Sequence, residues 1–265
     1  MPEKLQTIVI FDIDGVIRDV SGSYRRAIAD TVEEFTNRAW RPTMADIDNL
    51  KAEGIWNNDW QASQELTYRY YESVGKSREE INLDYEKIVD FFQVRYRGKN
   101  AAQLDGYITS EPLLVDLAYF ADLTANNIGW GFFSGATRAS AEYILNFRLG
   151  LNQPVLIAME DAPGKPNPQG LRQAISQILT TSDNLMPVFY VGDTVADMQT
   201  INKAKQVEPE RNWLAIGVLP PHVQFNSQTK LDYSEKLQQA GASIVVDNVK
   251  AVNPDLIEQL MEIAN

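Results

Sequence analysis

Apolar positions along this chain follow two rhythms. Short unbroken apolar runs lie at residues 7–11, 128–133, 154–159, 187–191, 213–218 and 243–246. They are rich in β-branched and aromatic residues, which predicts strands buried on both faces, as in a parallel sheet. Between the later runs, apolar residues recur at helical spacing over 138–149, 169–179, 196–205 and 233–240, and 256–263 predicts a closing helix. Residues 219–229 read as a polar loop. Strand alternating with helix predicts βαβ crossovers. The expected fold class is therefore α/β, a Rossmann-like and mainly parallel sheet with helices on both faces.

Residues 21–106 break this rhythm. They are rich in Glu, Arg, Tyr, Ala and Leu at helical spacing and predict helices over 23–39, 43–54, 61–74 and 77–97. Pro42, Gly54 and Gly75 punctuate them. Antiparallel helices with short connections form a small bundle. The expected organisation is a core of residues 1–20 and 107–265 with an inserted α-helical cap at 21–106.

The first apolar run ends in Asp12-Ile13-Asp14-Gly15. Two carboxylates at the end of a buried strand repel each other and need a positive partner. A hard divalent cation with oxygen ligands would supply it. Gly15 lets the backbone turn sharply there. Three further segments present polar groups after apolar runs. Ser134-Gly135 can offer a hydroxyl and backbone N–H groups to a phosphate oxygen, or form an ordinary turn and N-cap. Gly164-Lys165-Pro166-Asn167-Pro168 presents a lysine, functional or merely solvated. Asp193 ends another buried run, and Asp197 lies one helical turn on, so both can face one point.

In this order the four segments resemble the four motifs of the haloacid dehalogenase-like hydrolase superfamily, with the insert where that superfamily places an α-helical cap. The resemblance covers about residues 5–20 and 107–250. It implies that Asp12 is a nucleophile forming an aspartyl-phosphate. It makes Asp14 the acid and base, with its backbone carbonyl on the metal. Mg²⁺ is implied on Asp12 and Asp193, with Asp197 as a ligand or outer support. Ser134, the N–H groups around Gly135, and Lys165 would hold the phosphoryl oxygens. An acid at position 14 is the pattern of the superfamily's phosphatases and phosphomutases. It argues against its ATPases and dehalogenases.

The expected activity is Mg²⁺-dependent hydrolysis of a small phosphorylated metabolite. A phosphomutase is the alternative within the fold, and a non-catalytic binding module the alternative outside it. A Schiff-base role for Lys51 and a mutase role for the single histidine, His222, find no local support. In the insert, Asn57, Asn58 and Asp59 lie between two tryptophans. They read either as substrate contacts or as a helix cap with its packing. Arg18 is a candidate for the substrate's distal group. Glu160 and Asp161 read as surface charges or as groups orienting Lys165, and Arg138 as a phosphate contact or a helix-surface residue.

Composition narrows this picture. The 265 residues carry a net charge of −12, which repels nucleic acid at long range. An anionic substrate must therefore meet a local positive focus. With 0 cysteines, thiolate catalysis and disulfides are excluded. No apolar run is long enough for a membrane span, and the chain enters its first strand with no signal segment, so a cytoplasmic location is expected. An oligomer is possible, through exposed aromatics of the insert.

Overall fold

Six parallel strands organise the larger part of the chain. In the computed structural model, residues 5–56, 58–99, 104–179 and 185–264 are described. The strands are β1 (Thr7–Phe11), β2 (Ile128–Phe133), β3 (Leu156–Ile157), β4 (Val188–Gly192), β5 (Trp213–Val218) and β6 (Ile244–Val246). They form one sheet in the order β3-β2-β1-β4-β5-β6. Every residue of β1, β4 and β5 is buried, which is why these runs lack polar alternation. The order reverses between β1 and β4. Such a switch point opens a crevice at the carboxyl ends of the strands, where ligands bind in sheets of this kind. Phe11 pairs with both Phe132 and Val191, so Asp12 emerges at that crevice beside the ends of β2 and β4.

Both faces of the sheet are covered. On one face Ile8, Ile10, Phe133 and Tyr190 pack with Leu171 and Ile175, and with Met198, Ile201 and Ala204. The helices concerned are Gln169–Ile178 and Val195–Val207. On the other, Phe11, Trp130 and Phe132 surround Phe120, whose ring lies 4.7 Å from Trp130 and 5.6 Å from Phe132. Phe120 belongs to a helix, Leu117–Ala125, that the apolar pattern did not predict. Its signal is the cap: Asp116 accepts from the Tyr119 N–H. Two other boundaries differ. The helix expected over 138–149 is regular only over Arg138–Glu142 and continues as a π-helical turn over Tyr143–Arg148. The helix expected from 233 begins earlier, spanning Ser227–Gln239, because Asn226 caps it and shortens the polar loop.

The chain divides into two units, residues 1–19 with 113–265 and residues 20–112. The second unit is helical. Numbered in chain order, the ten helices among the described residues begin with α1 (Tyr24–Phe35), α2 (Met44–Lys51), α3 (Asp59–Ser73) and α4 (Tyr85–Tyr96), all in this unit. In the sheet unit follow α5 (Leu117–Ala125), α6 (Arg138–Glu142), α7 (Gln169–Ile178), α8 (Val195–Val207), α9 (Ser227–Gln239) and α10 (Pro254–Ala264). The single helix expected over 77–97 is interrupted. A 3-10 turn at Arg78–Glu80 is followed by extended chain up to Asp84, which caps α4 by accepting from the Lys87 N–H.

Glu65 of α3 is buried and paired with two arginines, at 2.8 Å from Arg69 and 3.0 Å from Arg78. Burial alone would raise its carboxyl, but Arg78 and Arg69 outweigh burial and hold it below the usual range. Its pairing therefore stabilises the fold above the unfolded-state value and is lost as pH falls through the folded one. Both arginines are well exposed, which screens the gain. Glu65→Gln is expected to cost about 1–2 kcal/mol at neutral pH, and the cost should shrink as pH falls through the folded-state value, as read by urea unfolding. A cost that stays constant down the acid range would contradict this account.

Candidate active site

Four strand ends bring Asp12, Ser134, Lys165 and the Asp193–Asp197 pair to the crevice edge. Asp12 follows β1, its N–H bonded to the Val191 carbonyl at 2.8 Å. Lys165 comes from the loop after β3 and is nearly buried. Its ammonium lies 2.9 Å from Asp12 Oδ2 and 2.6 Å from Asp197 Oδ1. The rings of Tyr190 and Phe133 flank it at 5.4 and 5.6 Å. Carboxylate oxygens of Asp12, Asp193 and Asp197 come within 4.8 Å of one another, and all three residues are buried. Two glycines make this approach possible. A Cβ on Gly15 would fall 2.0 Å from Asp193 Oδ2, and one on Gly192 would fall 2.3 Å from Asp197 Cβ. Gly15 also takes a φ of +75°.

The electrostatics follow from this crowding. Burial pushes the Asp12 carboxyl up to about 7, with Asp197 and Asp14 adding to the effect and Lys165 opposing it. Burial would lower the Lys165 ammonium, but Asp12 and Asp197 hold it well above the ordinary lysine range. Asp12 Oδ1 is buried with no hydrogen-bond partner. A buried acceptor left in this way costs stability unless something donates to it or coordinates it.

Asp197 is bonded on both of its oxygens. Its Oδ1 accepts from Lys165 at 2.6 Å and from the Tyr190 hydroxyl at 3.0 Å. Its Oδ2 accepts from the Thr194 N–H at 2.9 Å and the Thr194 hydroxyl at 2.6 Å. These bonds form a capping box at the start of α8. Each oxygen thus receives two donors, so proximity alone overstates Asp197 as a metal ligand. Asp12, by contrast with Asp197, keeps its Oδ1 open.

Asp14 projects from a tight turn in which the Gly15 N–H bonds the Arg18 carbonyl at 2.9 Å. Its carboxylate is held by Arg18, at 2.7 Å from Nε and 2.6 Å from Nη2. The Asp14 side chain is 23% exposed and Arg18 is fully buried. Arg18, expected to meet the substrate's distal group, has no exposed surface and its guanidinium lies on Asp14. Asp14 is the one carboxylate of the four with ready access to water.

Ser134 is buried and its Oγ accepts from the Ala136 N–H at 3.1 Å, which leaves the hydroxyl proton available to donate. Gly135 beside it is exposed, with open space where a side chain would stand. Glu160 and Asp161 neither bond Lys165 nor stand free. Glu160 Oε2 accepts from the Arg138 N–H at 2.9 Å, and Asp161 accepts from the Ala158 N–H at 2.7 Å and from the Arg138 guanidinium. Arg138, further paired with Glu142, thereby ties the loop after β2 to the loop after β3.

The insert residues are placed otherwise. Asn58 caps α3, its Oδ1 accepting from the Trp60 and Gln61 N–H groups at 2.9 and 3.1 Å. That acceptor is therefore committed to the helix end, as the capping alternative expected. Asp59, expected either to contact substrate or to belong to the helix cap, pairs with Lys51 at 2.6 Å. Asn57 lies outside the described residues. Sequence reasoning missed Tyr190 and Thr194. The Thr194-x-x-Asp197 spacing was the available signal for the second.

The fold and the site together define a doubly wound α/β protein with an acidic, lysine-bearing centre at its switch point. A sequence profile described as "Hydrolase: haloacid dehalogenase-like hydrolase" matches residues 7–205. The chain belongs to the haloacid dehalogenase-like hydrolase family. It is 31% identical over 251 residues to a Phytophthora nicotianae protein named imidazoleglycerol-phosphate dehydratase, covering 93% of this chain. This chain spans only 51% of that relative's length. Among solved structures, a phosphonoacetaldehyde hydrolase-like protein from Oleispira antarctica superposes with a TM-score of 0.66 at 14% identity, covering 99% of this chain and 95% of its own. Phosphatase Tt82 from Thermococcus thioreducens gives a TM-score of 0.59 at 17% identity, covering 86% and 99%. At these identities the likeness is one of fold. No helix among the described residues is long and apolar enough to cross a membrane.

Proposed function

We propose that this chain is a Mg²⁺-dependent phosphatase that hydrolyses a small phosphate monoester through an aspartyl-phosphate on Asp12. The observation that carries this reading is the orphaned, buried Oδ1 of Asp12 beside a second oxygen already bonded to Lys165. Charge balance supports the metal. Arg18 and Lys165 set two positive charges against the carboxylates of Asp12, Asp14, Asp193 and Asp197, which leaves two negative charges when all are ionised. Oxygen donors and a double charge deficit suit Mg²⁺. Asp12, Asp193 and the Asp14 carbonyl are the donors to hold it, with Asp197 supporting from outside. When bound, it neutralises carboxylate charge facing the phosphate dianion and polarises a phosphoryl oxygen.

The chain's own groups do the rest. Asp12 attacks phosphorus, splitting a difficult hydrolysis into two steps. Asp14, held by Arg18 and open to water, gives a proton to the leaving oxygen and then takes one from the attacking water. Lys165 and Ser134, with the N–H groups around Gly135, bond the transferring oxygens and stabilise their charge. Lys51, the residue a Schiff-base mechanism would require, is paired with Asp59. The substrate class includes sugar phosphates, phosphoglycolate-like acids and amino-alcohol phosphates. The name of the Phytophthora relative adds imidazole-bearing phosphate esters to the panel. A cytoplasmic location fits this reading.

The test is phosphate release from p-nitrophenyl phosphate and from that panel, with and without Mg²⁺. Equal rates with Mg²⁺ and with a chelator would overturn the reading. A pH signature accompanies it. Because burial holds the Asp12 carboxyl up to about 7, a proton competes with Mg²⁺ for its oxygen. Apparent Mg²⁺ affinity is expected to fall about tenfold per pH unit below that value and to level off above it. Calorimetric titrations across the range should show this slope; an affinity indifferent to pH would count against Asp12 as a ligand.

A further inference from the structure

Tyr190 is a buried strand residue whose hydroxyl the proposed mechanism leaves unused. It lies on β4 with its ring in the core, packed near Phe133 at 6.1 Å between centroids. A phenylalanine would fill that space equally well. A buried hydroxyl instead demands partners, and both partners here belong to the site. The oxygen lies 3.0 Å from Asp197 Oδ1 and 3.1 Å from the carbonyl of Phe133, the residue before Ser134. Lys165, 5.4 Å above the ring, bonds the same Asp197 oxygen at 2.6 Å.

One phenol therefore touches three of the four strand ends. It reaches the end of β2 through the Phe133 carbonyl, the start of α8 through Asp197, and the lysine loop through its ring face. The hydroxyl has one proton and two acceptors, and the anionic carboxylate is the stronger acceptor. Donation to Asp197 completes the four hydrogen bonds that stop that carboxylate from rotating. A carboxylate that cannot rotate holds the Lys165 ammonium in one place, 2.9 Å from Asp12.

We propose that Tyr190 is a positioning residue whose hydroxyl, acting through Asp197, fixes the Lys165 ammonium beside Asp12 for phosphoryl transfer. The proposal rests on the phosphatase reading. Lys165 is asked to stabilise charge that develops on the transferring oxygens, where small displacements are costly. Loss of the hydroxyl should therefore appear in kcat more than in KM.

The test is Tyr190→Phe, which keeps the ring and removes only the oxygen. With p-nitrophenyl phosphate and Mg²⁺, kcat is expected to fall about tenfold and KM to move by less than about threefold. In a double-mutant cycle with Asp197→Asn, Tyr190→Phe should add less than about twofold, because the hydroxyl acts through that carboxylate. A readout independent of turnover is calorimetric binding of inorganic phosphate in Mg²⁺, expected to weaken by about twofold, in step with the small change in KM. Unchanged kcat and phosphate affinity in Tyr190→Phe, losses that multiply fully in the cycle, or a variant that no longer folds would each overturn the proposal and leave a structural hydroxyl. A wild-type chain that binds phosphate without turning over esters counts against the phosphatase reading alone. A chain that does neither overturns both.

Discussion

Asp12→Asn should abolish phosphate-ester hydrolysis, lowering kcat by about 10⁴-fold or more, while leaving a folded and metal-free protein more stable than wild type. The two halves of this result have one cause. The Asp12 carboxylate sits in a buried cluster, with Asp197 and Asp14 near and only one of its oxygens bonded by Lys165. Its proton is therefore held up to about 7, against 3.8 for an ordinary aspartate. Between these values the unfolded chain is ionised and the folded chain is protonated, so the folded state binds more protons. Stability of the wild type then falls as pH rises through this window, and is fully retained below it. The amide carries no such penalty. The stability difference in favour of Asp12→Asn should be small near pH 4 and reach a few kcal/mol near pH 7 without metal, as measured by urea unfolding. Mg²⁺ should reverse it by stabilising wild type far more than the variant. A variant less stable than wild type in chelator at neutral pH would contradict the burial argument, and one that retains turnover would contradict the nucleophile.

Lys165→Met is the second change with a large expected effect. Methionine matches the length of the lysine stem but leaves Asp12 and Asp197 facing a site with their shared cation removed. Removing one member of a buried charge pair costs about 3–5 kcal/mol, because the remaining charge stays desolvated and uncompensated. The Asp12 carboxyl should then take up its proton more readily, so the cost is greatest at neutral pH and shrinks as pH falls. Activity should drop about 10²–10³-fold, the scale for losing one preorganised group on a transferring oxygen. Thermal unfolding in the presence of Mg²⁺ separates the two effects, since a bound cation restores part of the stability and none of the contact to phosphate. Stability unchanged at neutral pH would show that Lys165 is not the counter-charge of this cluster.

Much of the fold was legible along the chain. Unbroken apolar runs marked the six strands, because a residue with sheet on both sides and helices above and below has no water-facing partner. The acids of Asp12-Ile13-Asp14 and Gly192-Asp193 stood out for the same reason, as charges closing apolar segments. Breaks were less legible. The extended stretch before Asp84 and the cap at Asp116 carry short polar signals inside otherwise helical or mixed composition, which periodicity does not resolve. The cap roles of Asn58 and of the Thr194–Asp197 box were visible as spacings, yet spacing does not tell a cap from a ligand.

The sequence by itself determined the α/β class, the helical insert and the chemical identity of the groups at each strand end, because these depend on local periodicity and side-chain type. Only the tertiary structure decided who bonds whom. Arg18 turned out to serve Asp14, Asp197 to be saturated by Lys165, Thr194 and Tyr190, and Asp12 to keep one oxygen open. Those pairings join residues from separate strands and loops, set by strand order and by how closely glycine backbones let carboxylates approach. Periodicity within one segment carries no information about a partner supplied by another.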